Sequence, residues 1–450
     1  MLVLISKRCI ILITIFALVF LQLVMYVGFN PHIFNHGKRN LYSYSIWKGF
    51  DIPLIKTDCF STSEKDYNLE NLVRDIKSLK KSTTKSECED FLDLFDNIFK
   101  VSHQYSRALS FPKKFQERLQ KSLNKNLFNS LSHQLLIYVF NHVTLESSVY
   151  NPLRSKRPVG HNDENVWSYV ERLSSETLPN CDFCKYKDFT AIDELGRHET
   201  TFTVRVTNTF KLEKWHGMII MKKHHPTNFS MQEFEMFLND VVNWANEAQV
   251  IDPSYIYPSA VWDVLYKAGA SQIHPHIHVL VSRNYYFGKV EQLRRAAQNY
   301  FEKTGHNYFT KLVEIYSALG LAVHLGKAVA LCTLAGSGDL EVMILSDSPT
   351  SDLFRLFYFT LQVYHELNFP CHSMFMGWSA LGSSEKAKFG KIPAILRVVT
   401  RGNCMSKTND ISSIDLFLTN FRDYDPWLLS RLLSKKISNS EDLYKNKKQK

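Results

Sequence analysis

Three histidines stand at alternate positions in His274-Pro275-His276-Ile277-His278, ahead of the apolar run Val279-Leu280-Val281. Alternate residues of a β-strand project from one face, so a strand here presents the three imidazoles together and Ile277 on the other side. The turn before them, Gly269-Ala270-Ser271-Gln272, is built of small residues whose backbone N–H groups can approach a phosphate closely. A neutral imidazole can attack phosphorus and form a covalent nucleotidyl-histidine, while neighbouring donors stabilise charge developing on the phosphoryl oxygens. The same histidines could instead form a metal cluster or lie idle on the surface. The Gly-Ala-Ser turn ahead of them favours phosphoryl chemistry.

A second constellation is Cys181-Asp182-Phe183-Cys184, upstream of His224 and His225. A C-x-x-C holds two corners of a zinc tetrahedron, and two imidazoles can complete it. In an oxidising compartment the two cysteines could pair or act in redox chemistry instead. The other six of the eight cysteines are scattered, which is not a dense disulfide framework. Cys59 and Cys88 could bridge in a lumenal chain.

The elements that would hold these groups follow from periodicity. Residues 201–206 and 218–221 read as strands, 231–248 as a helix, 259–265 and 274–282 as strands, and 288–303 as a helix. Beyond them come a helix over 308–319, strands over 328–332 and 340–345, a helix over 351–367, and strands over 372–376 and 394–399. Strands mixed with long helices give an α+β class, with two related halves. Residues 64–145 read as helical: Phe91, Leu92, Leu94, Phe95, Ile98 and Phe99 form an amphipathic stripe, and helical character continues over 127–140.

The block Gly269 to His278 resembles the active-site strand of the histidine-triad (HIT) superfamily. It is most similar to the galactose-1-phosphate uridylyltransferase branch, whose signature runs G-C-S-N-P-H-P-H-x-Q. The resemblance implies that His276 is the nucleophile, that Ser271 contacts phosphate, and that His278 contacts the nucleotidyl group or the leaving phosphate. Gly269 and Gln272 would line the substrate. Asn151-Pro152-Leu153-Arg154-Ser155-Lys156-Arg157-Pro158 resembles the family's N-P-L and R-x-K-R-P elements, run together without the strand between them. That match sets Arg154 and Arg157 against substrate phosphates, a role that suits guanidinium; a solvated basic loop is the other reading. Val206-Thr207-Asn208-Thr209-Phe210 resembles the T-N-D-F that holds the nucleoside, with Thr209 in place of the acidic residue. Asn208 is then a nucleoside contact or a turn residue. Pro370 to Trp378 resembles F-P-Y-S-M-G-W near the family's C-terminal end. Related transferases carry a structural zinc, and the resemblance transfers its ligands to Cys181, Cys184, His225 and His274. His225 is preferred to His224 because Phe229 then falls where the family has an apolar residue. The implied fold is HIT-like, with antiparallel sheets, helices and two halves. There is no second H-x-H, so one chemical centre is expected.

The implied activity is a nucleotidyltransferase or phosphorylase acting on a nucleotide sugar or dinucleotide through nucleotidyl-His276. The acceptor would be a phosphorylated compound, phosphate or water. His278 stands where the transferase branch has Gln, and an imidazole can pass a proton to a leaving group. The alternative is a membrane-tethered nucleotide-binding or scaffold protein on a catalytically retired HIT fold. Retention of Ser271 with His276 speaks for the enzyme.

The chain has 450 residues, 45% apolar and 22% charged, with 13% aromatic residues, enough to fill a large core and too ordinary for global disorder. A mean hydropathy of -0.20 excludes a polytopic membrane protein. The net charge of +10 suits anionic partners. The basic residues are dispersed and no nucleic-acid motif occurs, so no nucleic-acid partner is expected. Lys7 and Arg8 precede an apolar run over 9–29, about the 20 residues a bilayer-spanning helix needs. The organisation expected is a short tail (1–8), a transmembrane signal anchor (9–29), a stem and helical region (30–145), a HIT-like catalytic half (146–305), a second half (306–436) and a basic tail (437–450). The positive-inside rule favours an ER or Golgi protein with a lumenal bulk, and the sequon Asn228-Phe229-Ser230 is available there. The C-terminal Lys447-Lys448-Gln449-Lys450 resembles a cytosolic dilysine signal, or is a solvated basic tail. A homodimer is left open.

Overall fold

The computed structural model describes residues 59–60, 67–82, 86–107, 110–123, 125–154, 164–384, 391–406 and 410–448. The expected tail at 1–8, the anchor at 9–29, most of the stem, and Arg157 lie outside the described residues. Among the described residues no helix is long and apolar enough to cross a membrane.

Helix α1 (Leu69–Ser82) buries Leu69, Leu72, Val73 and Ile76, and α2 (Ser86–Ile98) buries Phe91, Phe95 and Ile98. Both sets recur at helical spacing, so each helix shows one apolar stripe to the core. A disulfide joins Cys59 to Cys88 at the start of α2. Beyond α2 the helical expectation for this region holds only in part, because three strands alternate with its helices. β1 (Phe99–Ser106) is followed by α3 (Lys113–Ser122) and α4 (Lys125–Ser130), then β2 (Gln134–Asn141) and β3 (Ser147–Tyr150). Of the helix expected over 127–140, the first turn is present in α4 and the stretch from Gln134 on is strand. In β2 the residues Ile137, Val139 and Asn141 are buried at alternate positions, and β-branched and aromatic side chains fit such a half-buried pleat.

The chain continues through α5 (Val166–Thr177) and α6 (Tyr186–Phe189) into β4 (Thr203–Thr207), β5 (Trp215–Met221), α7 (Met231–Ile251), β6 (Tyr257–Val264) and β7 (His276–Ser282). Then come α8 (Gly288–Thr304), α9 (Tyr308–Ala318), β8 (Ala322–Leu325), β9 (Ala328–Cys332), β10 (Val342–Ser346), α10 (Ser351–Glu366), β11 (His372–Gly377) and β12 (Ala394–Thr400). The end carries α11 (Ser413–Phe417), β13 (Asn420–Arg422) and α12 (Pro426–Lys448). β13 adds in parallel to β3, closing a small sheet in the order β1-β2-β3-β13.

The large sheet is antiparallel throughout, in the order β4-β5-β7-β6-β11-β12-β10-β9-β8. It contains two strand–strand–helix–strand–strand blocks, β4-β5-α7-β6-β7 and β9-β10-α10-β11-β12, joined edge to edge where β6 pairs with β11. The blocks repeat in detail. Asn208 N–H donates to the His216 carbonyl (3.1 Å) in the first, and Thr333 N–H to the Glu341 carbonyl (3.0 Å) in the second. Trp262 of β6 packs on Phe234 and Phe237 of α7 and on Phe357 of α10, so both helices cover one face of the sheet. At Gly217 the approach of α7 is close enough that a Cβ would sit 2.5 Å from the Trp244 ring.

On the other face a single row of register partners runs His278, Val261, Phe375, Arg397 across β7, β6, β11 and β12. The first block contributes His278 to this row. The second contributes Arg397, which is buried between Glu146 (2.8 Å) and Glu341. A saturated ion cluster thus occupies the place that would correspond to a second histidine centre.

Candidate active site

β7 sends Ile277, Val279 and Val281 into the helix-covered core, all fully buried. Alternation then places His276 and His278 on the opposite face. His276 is only 5% exposed. Its Nδ1 lies 2.8 Å from the His274 carbonyl, which can only accept, so Nδ1 carries the proton and Nε2 keeps the free electron pair. Burial, then the neighbouring His278, lowers the His276 pKa to about 4. The ring is therefore neutral at neutral pH, the state in which Nε2 is a nucleophile. Phe183 sits beside it with ring centroids 5.0 Å apart.

The tautomer of His278 is fixed by a chain of donors that begins in the backbone. Leu212 N–H donates to His216 Nδ1 (3.1 Å), so the neutral His216 ring carries its proton on Nε2. That Nε2–H points at His278 Nδ1, 3.1 Å away. Asn208 Oδ1 accepts from Phe210 N–H (2.8 Å), which turns the Asn208 amide nitrogen toward the same Nδ1 at 3.4 Å. His278 Nδ1 is thus an acceptor and its Nε2–H is the donor left for a ligand. Burial lowers both His278 and His216 to about 4. His278 is accordingly a neutral hydrogen-bond donor through Nε2–H at neutral pH. Asn208 holds His278 in this structure. A strand over 218–221 leaves His216 outside it, whereas β5 starts at Trp215 and places His216 within the sheet.

The metal candidates converge with one substitution. Cys181, Cys184, His224 and His274 bring one ligand atom each within 4.8 Å of one another. His274 Nδ1 lies 3.4 Å from Cys181 Sγ and 3.5 Å from Cys184 Sγ; His224 Nδ1 lies 3.3 Å from Cys184 Sγ and 3.3 Å from His274 Nδ1. With zinc–ligand bonds of about 2.0–2.3 Å the edges of a tetrahedron are roughly 3.3–3.8 Å, so the set fits. Outer partners fix both rings: His274 Nε2–H donates to the Met221 carbonyl (2.5 Å) and His224 Nε2–H to the Ser174 carbonyl (3.1 Å), leaving both Nδ1 pairs facing the sulfurs. Burial and Cys181 push the Cys184 thiol up to about 12, a cost that a bound dication removes. His225, the ligand expected from sequence, is not in the cluster. Its Nδ1 accepts from Thr227 N–H (3.2 Å) and its Nε2 lies 3.3 Å from Glu171. The two residues adjoin just beyond β5, and it is His224 that faces back over the histidine turn.

The turn before β7 is left-handed at Gly269, with φ of +107°, which favours glycine. Ser271 is exposed and Gln272 half-buried at its tip. Arg401 anchors the turn from β12's end, donating to the Ala268 carbonyl (2.9 Å) and to Ser373 Oγ (2.9 Å). Arg154 is not brought to this site. It stacks over Phe421 (4.2 Å) and lies 3.5 Å from Asp423, whose N–H binds Asp339 between β9 and β10. Those strands are four and five positions from β7, roughly 20 Å at about 4.8 Å per strand. Residues 151–154 follow directly on β3 of the small sheet, which sets Arg154 there.

No protein-family model and no curated protein matches the chain. Solved structures similar to it include an ADP-glucose phosphorylase from Arabidopsis thaliana with bound ADP-glucose, at 16% identity and a TM-score of 0.48 over 65% of this chain and 96% of that one. A galt-like protein from Arabidopsis thaliana follows at 16% identity and 0.45, over 56% and 91%. Yeast Ap4A phosphorylase in complex with AMP is similar at 11% identity and 0.32, over 68% and 87%. At these scores the likeness assigns nothing to this chain, and what the site can do follows from its geometry.

Proposed function

We propose that the protein is a HIT-like nucleotidyltransferase or phosphorylase that acts on a nucleotide sugar or dinucleotide through a covalent nucleotidyl-His276. The observation that carries this is the pinning of His276 Nδ1–H on the His274 carbonyl, which leaves a buried, neutral Nε2 aimed into the open face. His276 Nε2 forms a bond to the α-phosphorus as the bond to the leaving phosphate oxygen breaks. A phosphate leaving group departs as an anion and needs no proton, which agrees with His278 Nε2–H acting as a hydrogen-bond donor to a phosphoryl oxygen. The His274 carbonyl stabilises the cationic nucleotidyl-imidazole through Nδ1–H. An acceptor oxygen then bonds to phosphorus and the N–P electron pair returns to Nε2. Ser271 and the backbone of the Gly269 turn serve the phosphates.

A zinc ion held by Cys181, Cys184, His224 and His274 would supply a cross-link between the C-x-x-C loop and the entry to β7. In the same proposal the chain is anchored by 9–29 with residues 146–305 and 306–436 as related halves. A lumenal bulk is supported by the Cys59–Cys88 disulfide, since such bonds persist in oxidising compartments, and by the exposure of Asn228. Incubation with nucleotide sugars and dinucleotides of each common base, followed by product analysis beside a His276→Ala control, tests the activity. Release of a sugar phosphate or nucleotide that persists in the control would refute it. Protease protection in microsomes tests the topology, and digestion of the bulk in intact vesicles would reverse it.

A further inference from the structure

Asp263 lies on the same open face as the histidines and has no role in the chemistry above. It sits on β6 two residues beyond Val261, the register partner of His278. Residues two apart on a strand share a face and are about 6.6 Å apart, so Asp263 lies just past the last β6–β7 pair, on the face that carries His276 and His278. One carboxylate oxygen is occupied: Asp263 Oδ1 accepts from Ser373 Oγ (2.6 Å), its register partner on β11. The other faces the turn, for a Cβ built on Gly269 would lie 3.9 Å from Asp263 Oδ2. The nearby cation is engaged elsewhere. Arg401 donates to Ser373 Oγ, to the Ala268 carbonyl and to Asp410, not to the carboxylate of Asp263. Burial raises the Asp263 pKa, while Ser373 and Arg401 draw it back.

A carboxylate with one free oxygen on this face offers a base to a neutral hydroxyl, which must lose a proton as it attacks. We infer that Asp263 is the general base of the second half-reaction whenever the acceptor is a neutral hydroxyl, water or an alcohol. This rests on the nucleotidyl-His276 reading and names the group that takes the acceptor's proton. In the step, the acceptor oxygen bonds to phosphorus, the N–P bond breaks and its pair returns to His276 Nε2. The acceptor's proton passes to Asp263 Oδ2 and then to solvent. Ser373 and Arg401 position the carboxylate and the turn.

The test follows the clearance of the adduct on the full chain in mild detergent. The protein is loaded with ADP-glucose, UDP-glucose, GDP-mannose or diadenosine tetraphosphate, and the adduct is chased with buffer alone, inorganic phosphate, glucose 1-phosphate or glycerol, and read by intact mass. The expected result is that buffer or glycerol clears the wild-type adduct. Asp263→Asn, which keeps an acceptor for Ser373, should slow clearance by water and glycerol about 100-fold, while clearance by glucose 1-phosphate, which brings its own anionic oxygen, changes less than 2-fold. A wild-type adduct that neither water nor glycerol clears overturns the inference. So does an Asp263→Asn adduct that clears in water at the wild-type rate, or one whose clearance by glucose 1-phosphate falls as far as its clearance by water. Absence of an adduct from every donor is a different failure: it removes the His276 reading, and this inference with it.

Discussion

Exchanging the two adjacent histidines after β5 separates the structure's metal set from the one expected by resemblance. In His224→Asn one of four ligand atoms is withdrawn from Cys181, Cys184, His224 and His274. Structural zinc sites bind with about 10–16 kcal/mol, so an equal share is roughly 3 kcal/mol per ligand, or about 150-fold in affinity. His225→Asn removes a contact to an exposed glutamate 3.3 Å away, worth about 0–1 kcal/mol, and touches no ligand atom. The assay is zinc content by mass spectrometry of the purified full chain, followed by competition with a chelator of known affinity. The account predicts one zinc per chain in the wild type and in His225→Asn, with an affinity loss of two orders of magnitude in His224→Asn. Adduct formation should fall in parallel, because the backbone of His274 orients His276. Zinc lost from His225→Asn and kept by His224→Asn would refute the cluster, as would a metal-free wild type that retains its fold and its adduct.

Asn208→Leu with His216→Phe removes both donors that fix the His278 tautomer, and loss of an oriented phosphoryl donor should slow adduct formation about 10²–10³-fold. Either change alone should cost only a few-fold, since one remaining donor still holds the ring, and a single change as severe as the pair, by rapid-quench mass spectrometry, would sink this. Arg397→Leu strands the buried Glu341 carboxylate and leaves the half-buried Glu146 only Lys289 as a counter-ion, a loss of about 3–5 kcal/mol that denaturant unfolding would read; an unchanged midpoint would contradict the role given to this cluster. His372 is fully buried against Trp262 and Phe357, and burial lowers it to about 3. Between pH 6.5 and about 4 the unfolded chain binds a proton that the folded chain refuses, so stability should drop by about 1.4 kcal/mol per pH unit as the pH falls. His372→Phe should flatten that slope by about one proton, and an unaltered slope in urea titrations would count against it.

Most of the sheet was legible because its strands and helices carry strong periodicity. The elements expected between 201 and 399 are present with ends within three residues. The small sheet was not legible. β2 follows a helix-rich stretch and its alternation begins only at Ile137, so the apolar run Leu135 to Phe140 serves a helix or a strand equally well until its neighbours are known. At the site, His276, His278, Cys181, Cys184 and His274 could be gathered from spacing and resemblance, since a strand and a C-x-x-C carry their geometry locally. The choice of His224 over His225 could not, because it depends on which ring meets the Ser174 carbonyl across the fold. Nor could Arg154's place, which is set by Phe421 and Asp423 more than 260 positions later in the chain. Asp263 carries no motif at all; only the alternation of β6 beyond the Val261–His278 pair puts it on the face of the histidines.

The central claim is that His276 becomes covalently nucleotidylated. Intact-protein mass spectrometry after brief incubation with the donor panel tests it directly, with peptide mapping and a His276→Ala control. The account predicts a single nucleoside-monophosphate adduct on the peptide containing His276, absent from the control and discharged by acceptor. Donor turnover with no adduct under rapid quench, or turnover that survives His276→Ala, would contradict it.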